Sequence, residues 1–261
     1  MTDAKMKIHT SLPASYLQAK LAELGPWFYE FEFDNQVRTG PPVDENALQI
    51  HESRAQCIFP FLDRYFEGRW HEVACLDIAC HEGWFALQVA QRGARCVRGI
   101  DVRPERIARA NFIRDAGEMA SANFEVRDLF ALDPARDGTF DLTLFLGVFY
   151  HLEDPVRGFR TVRALTREVC VVEGQVARYN GNITTAWGNK AEVRSGPACA
   201  ILDADPHHAR VGDTVSVVPS LEALQKIIRA AGFRRTELVN PTSSLHEQYV
   251  SFDRVMLYAF V

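Results

Sequence analysis

The 261-residue chain has only six cysteines and no C-x-x-C pair. Cys75, Cys96 and Cys170 fall inside predicted buried strands, where a thiol behaves as a small apolar side chain. We therefore expect reduced core thiols rather than a disulfide framework.

Long apolar runs are also missing. The first twenty residues lack the continuous apolar region of a signal peptide, and no run reaches the roughly 18 residues that span a bilayer. We therefore expect a cytoplasmic protein with no membrane partner. The formal net charge of -5 provides no overall attraction for nucleic acid, although this charge is compatible with a local basic face. Small substrates are the first expectation, and a homodimer is left open.

A βαβ pattern lies between Val73 and Asp101. Residues 73–79 are a short apolar run typical of a strand buried on both faces, and a turn follows at 80–83. Residues 84–92 have the pattern of a helix, and 96–100 form a second apolar strand that ends at Asp101. An acid at that strand end is suited to accept hydrogen bonds from ribose hydroxyls.

Glycine is scarce in the turn of this unit. A dinucleotide fingerprint has the form G-x-G-x-x-G, whereas the segment from Asp77 to Gly83 has one glycine, at its end. Glu82 would also place a negative charge beside any phosphates. The turn therefore favours a ligand with a ribose and no phosphate.

Strands and helices alternate through the middle of the chain. Two strands, at 233–239 and 254–260, then close it without a strong helix between them. This order predicts an α/β fold, a Rossmann-like doubly wound seven-stranded sheet with an antiparallel last strand. We expect residues 1–70 to be a substrate-side extension and 71–261 to be the main domain. Within it, the polar, glycine-punctuated segment at about 175–219 is predicted to be a functional lid.

Three elements are predicted in the extension. A helix follows Pro13, a hairpin occupies the stretch from Tyr29 to Thr39, and one helix, or two if Pro60 interrupts it, covers 45–66.

The turn resembles motif I of class I S-adenosylmethionine-dependent methyltransferases, which has the form D-x-G-x-G-x-G. The resemblance continues in order along residues 70–261, through Phe140-Asp141-Leu142 to His151 at motif IV. It implies S-adenosylmethionine as the cofactor. The residues that it places at the cofactor are Asp77, Ala79, His81, Gly83, Asp101, Asp128, Leu129 and Leu146.

Three further stretches resemble the branch that contains tRNA wobble-uridine carboxymethyltransferases. They are the residues from Leu146 to Pro155, those from Pro219 to Leu224, and the segment at Trp27. The branch also contains small-molecule methyltransferases, so the resemblance does not define the acceptor.

Catalytic and acceptor-binding residues are expected at the carboxyl edge of the sheet. His151 follows strand four and has a pKa suited to a general base, with a backbone-bonding role as the alternative. Tyr150 is placed with it as catalytic. The predicted acceptor-binding residues are Trp27, Tyr29, Phe149, Tyr179 and Trp187. His207 and His208 match no strong ligand pattern, so no metal site is predicted.

These observations give three functional hypotheses. The first is methyl transfer to an oxygen or nitrogen of a small, partly aromatic molecule. The second is tRNA wobble-uridine modification by methyl or carboxymethyl transfer, with a stripe of arginines at 157, 160, 163 and 167 on the RNA. The third, which the two lost glycines suggest, is a non-catalytic cofactor-binding regulatory domain.

Overall fold

The computed structural model of the protein describes residues 6–40, 45–178, 181–184, 190–193, 197–203 and 215–261. The N-terminal segment comprises β1 (Met6–Ile8), α1 (Ala14–Leu24), β2 (Phe31–Phe33) and α2 (Glu45–Tyr65). The predicted hairpin is present, since Phe33 N donates to Val37 O across its turn. Pro60 lies inside α2 without ending it. The strand β1, which pairs in parallel with β2, is too short to show a pattern in the sequence.

The remaining elements follow in chain order. The strands are β3 (Ala74–Ile78), β4 (Cys96–Asp101), β5 (Ala122–Val126), β6 (Phe140–Leu146), β7 (Thr166–Gln175), β8 (Gly181–Thr184), β9 (Lys190–Val193), β10 (Cys199–Asp203), β11 (Val215–Pro219), β12 (Arg235–Leu238) and β13 (Arg254–Phe260). The helices are α3 (Trp84–Gln91), α4 (Pro104–Ala116), α5 (Pro134–Asp137), α6 (Pro155–Leu165), α7 (Leu221–Ala230) and α8 (Glu247–Val250).

A seven-stranded sheet organises the chain, in the order β12-β13-β7-β6-β3-β4-β5. The strands β3 to β7 are parallel, whereas β13 is antiparallel to both β7 and β12. The predicted fold class is thereby confirmed. The chain order reverses at β3, which has β4 on one side and β6 on the other. Open α/β sheets bind ligands beyond the carboxyl ends of their strands at such a point.

Two buried clusters cover the two faces of the sheet. Alternation along β3 sends Cys75 into one cluster and Leu76 into the other. The first cluster also contains Ile58 of α2, so the N-terminal segment packs on the face that carries α3 and α4. The second contains Phe159 of α6 and Leu224 of α7. The N-terminal segment is thus part of one core with the sheet, while the predicted boundary at residue 70 stays a prediction.

The segment at 175–219 has more regular structure than its sequence indicates. Its described residues include two antiparallel pairs, β8 with β9 and β10 with β11. Val217 N donates to Leu152 O, which places β11 against the loop that follows β6. The role of the segment as a lid stays a prediction.

All six cysteines are free thiols. Cys75 and Cys170 are buried as expected, and burial raises the pKa of both thiols. Cys96 is partly buried and packs against the core, whereas Cys199 is exposed. Across the described part of the chain, no helix combines the length and apolar character needed to cross a membrane.

Candidate cofactor and acceptor site

The loop between β3 and α3 holds three residues in the left-handed backbone region. Ala79, His81 and Gly83 have φ values of 55°, 55° and 78°. They occupy the three glycine positions of the resembled motif. Glycine favours this region, and an L-residue adopts it at a cost of about 1–2 kcal/mol. The loop therefore adopts the conformation that its motif calls for, although two of the glycines are absent.

Asp101 fastens this loop at the end of β4. Its Oδ2 accepts a hydrogen bond from His81 N at 3.1 Å. Arg103 binds the same carboxylate as a fork, with Nε 3.0 Å from Oδ1 and Nη2 3.1 Å from Oδ2, and its backbone N donates to Oδ1 at 3.0 Å. The predicted ribose acid is only 2% exposed. Cofactor hydroxyls at Asp101 would therefore compete with Arg103.

Ala79→Gly is expected to raise the free energy of unfolding by about 0.5–1 kcal/mol. The relief of the left-handed strain exceeds the entropy that the new glycine loses on folding. Urea unfolding measures the change. The control is Ala108→Gly at an exposed position of the helix α4, which should destabilise by about 1 kcal/mol. Equal destabilisation by both substitutions would contradict the role given to φ at Ala79.

The other predicted cofactor residues line the same edge. Asp77 is 3% exposed, and burial raises its pKa to about 8 against the opposing hydrogen bond from Ala86 N. At Gly83 a Cβ would lie 2.7 Å from a Phe124 ring carbon, so this position lacks room for a side chain. Asp128 caps the short turn after β5 by accepting from Phe130 N at 2.9 Å. Leu129 and Leu146 are buried.

Glu82 is turned toward the N-terminal segment. Its Oε2 accepts from Phe28 N at 3.0 Å and from Tyr29 N at 2.9 Å. Arg106 and Arg109 of α4 donate to Oε1 at 2.9 and 3.2 Å. Burial raises the pKa of Glu82, and these donors oppose the rise. The sequence predicted that the charge of Glu82 would face the phosphates of a ligand. That prediction is wrong, because donors within the protein neutralise the carboxylate.

The backbone held by Glu82 brings aromatic rings over the cofactor loop. The ring of Phe28 lies 4.8 Å from that of His81 and 5.0 Å from that of His51, between centroids. The ring of Tyr29 lies 5.5 and 4.5 Å from the same two imidazoles. Trp27 is 4% exposed, and its Nε1 donates to Leu21 O. The structure therefore brings Tyr29, a predicted acceptor residue, beside the cofactor loop, whereas Trp27 contacts Leu21 and Phe31 of its own segment.

A buried ionic network lies at the carboxyl ends of β6 and β7. Glu173 has no exposed surface and binds Arg54 Nη2 at 2.7 Å and Arg254 Nη1 at 2.9 Å. Tyr249 Oη donates to it at 2.7 Å. The two guanidinium groups hold the pKa of Glu173 below its usual range, although burial opposes them. A Cβ at Gly147, which follows β6, would lie 2.9 Å from Arg54 Nη2. The network therefore borders the loop that carries the predicted catalytic residues.

That loop places Tyr150 and His151 next to each other, with their rings 4.2 Å apart. Both are partly buried, and the Arg254 guanidinium lies 5.6 Å from the centre of the Tyr150 ring. Phe149 has no exposed surface and packs against Phe159. Phe149 therefore belongs to the core, whereas Tyr150 and His151 are partly exposed.

Some residues singled out from the sequence are not described at this site. Tyr179, Trp187, His207 and His208 fall outside the described residues. Three of the four stripe arginines make contacts within the protein. Arg157 stacks on the Phe130 ring, Arg163 donates to Gly232 O, and Arg167 forms a fork with Asp141.

Sequence reasoning missed the charged residues that the N-terminal segment and β13 bring to the site. His51 and Arg54 are three residues apart on α2, a spacing that equally fits a solvated helix face. Arg254 was the clearest signal, because it is the one charged residue among the seven of an apolar strand. A buried charge implies a partner, but the sequence does not say which one.

Known proteins resemble the chain in sequence. The family model described as a methyltransferase domain matches residues 75–168. The O-antigen chain terminator bifunctional methyltransferase/kinase WbdD of Escherichia coli is 29% identical over 113 residues, which are 43% of this chain and 16% of that protein. The tRNA U34 carboxymethyltransferase of Methylococcus capsulatus is 27% identical over 191 residues, which are 69% of this chain and 51% of that protein. The chain thus spans about half, or less, of the length of these curated relatives.

Solved structures share the fold over more of the chain. The N-terminal domain of EvdMO1 with SAH bound has a TM-score of 0.73 at 19% identity and covers 96% of this chain and 98% of its own. Magnesium protoporphyrin IX methyltransferase (ChlM) from Synechocystis PCC 6803 with bound SAM has a TM-score of 0.54 at 16% identity and covers 85% and 86%. The family match places a methyltransferase domain at residues 75–168, and the strand order of the sheet agrees with the fold of class I S-adenosylmethionine-dependent methyltransferases.

Proposed function

We propose that the protein transfers a methyl group from S-adenosylmethionine to an oxygen or nitrogen of a small acceptor, with a sugar hydroxyl as the first acceptor to test. The proposal rests mainly on the left-handed backbone at residues 79, 81 and 83, which is retained without two of the motif glycines. A loop kept in a strained conformation is typical of a functional site. The two lost glycines were the reason for the non-catalytic hypothesis, and the left-handed backbone at both positions weakens that reason.

The residues at the sheet edge fit this cofactor. The loop has left-handed backbone at Ala79, His81 and Gly83, and Asp101 lies at the end of β4 with its carboxylate bonded to the loop. The cofactor supplies an electrophilic methyl group on a sulfonium, and the chain has to align the acceptor and exclude water.

The acceptor would lie between the N-terminal segment and the loop after β6. His151 is the candidate base for the proton of a hydroxyl or amine acceptor, and Tyr150 lies beside it. Trp27 and Tyr29, two of the predicted acceptor-binding residues, are both buried against the protein's own residues. Their contacts therefore give no preference for an aromatic acceptor.

The names of two similar proteins favour a sugar. One is an O-antigen chain terminator. The N-terminal domain of EvdMO1 was also crystallised in the presence of SAH and D-fucose, and that structure has a TM-score of 0.71 and covers 96% of this chain. A sugar hydroxyl is consistent with oxygen as the acceptor atom.

The test has two stages. Calorimetry of the purified protein with S-adenosylhomocysteine should show saturable binding. Release of S-adenosylhomocysteine from S-adenosylmethionine is then measured with D-fucose, other free hexoses and a catechol, and turnover of a sugar is expected. Absence of binding would refute the cofactor assignment, and turnover of the catechol alone would move the acceptor to the aromatic class.

The tRNA hypothesis is the second candidate, because similarity to the tRNA U34 carboxymethyltransferase extends over 69% of this chain. The intramolecular contacts of Arg157, Arg163 and Arg167 weaken it. Binding of tRNA that falls steeply with salt concentration would favour it, since released counterions make such binding salt-dependent.

A further inference from the structure

His81 combines three features that packing alone does not explain. It is a large residue at a glycine position of the cofactor loop, with a left-handed φ of 55°. Its Nδ1 is buried and finds no hydrogen-bond partner among the described residues. A buried polar atom without a partner destabilises a protein by about 1–3 kcal/mol, and the strained backbone adds to this.

The two sides of His81 face different parts of the site. Its backbone N–H points to Asp101, the candidate ribose acid. Its ring leaves the loop toward Phe28 and Tyr29 of the N-terminal segment. The backbone of His81 thus fixes the cofactor loop to Asp101, while its side chain lies on the side where the acceptor is expected.

The imidazole is held uncharged at this position. Burial and the nearby Arg106 guanidinium hold the pKa of His81 well below its usual range. His51, which touches the same two aromatic rings, is also uncharged, because burial and Arg54 lower its pKa. A neutral imidazole with a lowered pKa takes up a proton poorly. It can still form a hydrogen bond with a hydroxyl through either ring nitrogen.

We propose that His81 is an acceptor-binding residue, whose Nδ1 forms a hydrogen bond with a hydroxyl of the acceptor between the cofactor loop and the Phe28–Tyr29 segment. This inference rests on the proposed function, since it takes the acceptor to be a small hydroxylated molecule. The hydrogen bond orients the hydroxyl oxygen for attack on the methyl group, and the proton that this hydroxyl releases passes to His151, the candidate base. This acceptor-binding role explains why the loop has a strained histidine at a position where glycine would be more stable.

The test compares His81→Gly with His81→Asn, because asparagine tolerates the left-handed region and keeps a polar side chain. His81→Gly should unfold at equal or higher urea concentration and bind S-adenosylhomocysteine within about threefold of the wild type, but lose about tenfold in kcat/KM for the sugar. His81→Asn should recover part of that loss. Gln36→Gly, at an exposed left-handed position of the hairpin turn, controls for strain relief alone and should leave kcat/KM unchanged.

A second readout does not depend on turnover. In protein labelled with ¹⁵N-histidine, D-fucose added to the S-adenosylhomocysteine complex should shift the imidazole resonance that is missing from His81→Gly. An unchanged kcat/KM in His81→Gly would overturn the proposal. So would a tenfold loss of S-adenosylhomocysteine affinity with acceptor kinetics unaffected, since His81 would then belong to the cofactor. If the wild type binds no S-adenosylhomocysteine, or binds it and methylates no sugar, the proposed function fails first, and the His81 proposal falls with it.

Discussion

Glu82→Gln is expected to lower the free energy of unfolding by about 3–5 kcal/mol, the effect of breaking a buried ion pair by removing one partner. Glu82 has no exposed surface, and its oxygens face only donors, from Phe28, Tyr29, Arg106 and Arg109. A glutamine amide offers one acceptor oxygen and turns two N–H donors toward those groups. Two arginines would also keep their charge without a counterion.

Urea unfolding, followed by tryptophan fluorescence, measures this loss. The matched control is Glu168→Gln, which removes the carboxylate of a fork with Arg69 that is partly exposed on both sides. Exposed pairs contribute up to about 1 kcal/mol, so the control should be affected far less. A loss below about 1 kcal/mol for Glu82→Gln would mean that Glu82 does not fasten the N-terminal segment to the cofactor loop.

Asp101→Ala and Arg103→Ala are expected to change S-adenosylhomocysteine affinity in opposite directions. Asp101→Ala should weaken binding by on the order of 1–3 kcal/mol, because charge-assisted hydrogen bonds to the ligand are lost. Arg103→Ala should strengthen binding by roughly tenfold, because it removes the two side-chain nitrogens of Arg103 that occupy the same carboxylate. Calorimetry gives both constants.

Arg114→Ala is the control for removal of an arginine from α4. Arg114 pairs with Asp115 and Asn111 on the same helix, so its loss should leave the affinity within about twofold. If Arg103→Ala binds the ligand more weakly than the wild type, Arg103 is a cofactor contact rather than a competitor. If Asp101→Ala binds as well as the wild type, Asp101 is not the ribose acid.

The contrast between Asp101 and Glu82 shows how far sequence reasoning reaches. Asp101 is identifiable because a buried strand, a turn, a helix and a second strand follow one another within thirty residues, and that spacing is local. The partners of Glu82 are not local, since Phe28 lies 54 residues before it. No periodicity along the chain connects Phe28 with Glu82, so the sequence could not predict the direction in which the carboxylate points.

The sequence also could not decide the meaning of Ala79 and His81. In the sequence, both residues differ from the glycines of the motif. This difference is compatible with a loop of another conformation or with the motif's conformation under backbone strain. Backbone angles distinguish these, and φ lies in the left-handed region at both positions, so the loop is strained rather than changed.

The sequence by itself determined the doubly wound seven-stranded sheet, its antiparallel last pair and the edge at which a cofactor is expected. Those features follow from apolar periodicity and from acids at strand ends, and both signals are recognisable within short stretches of sequence. Only the tertiary structure decided which charges meet at that edge. Arg54, Glu173 and Arg254 come from α2, β7 and β13 and form one buried network, because three segments that are distant in the chain pack around a single core. It also decided that His81 faces the N-terminal segment, since the rings that surround it are supplied by residues far earlier in the chain.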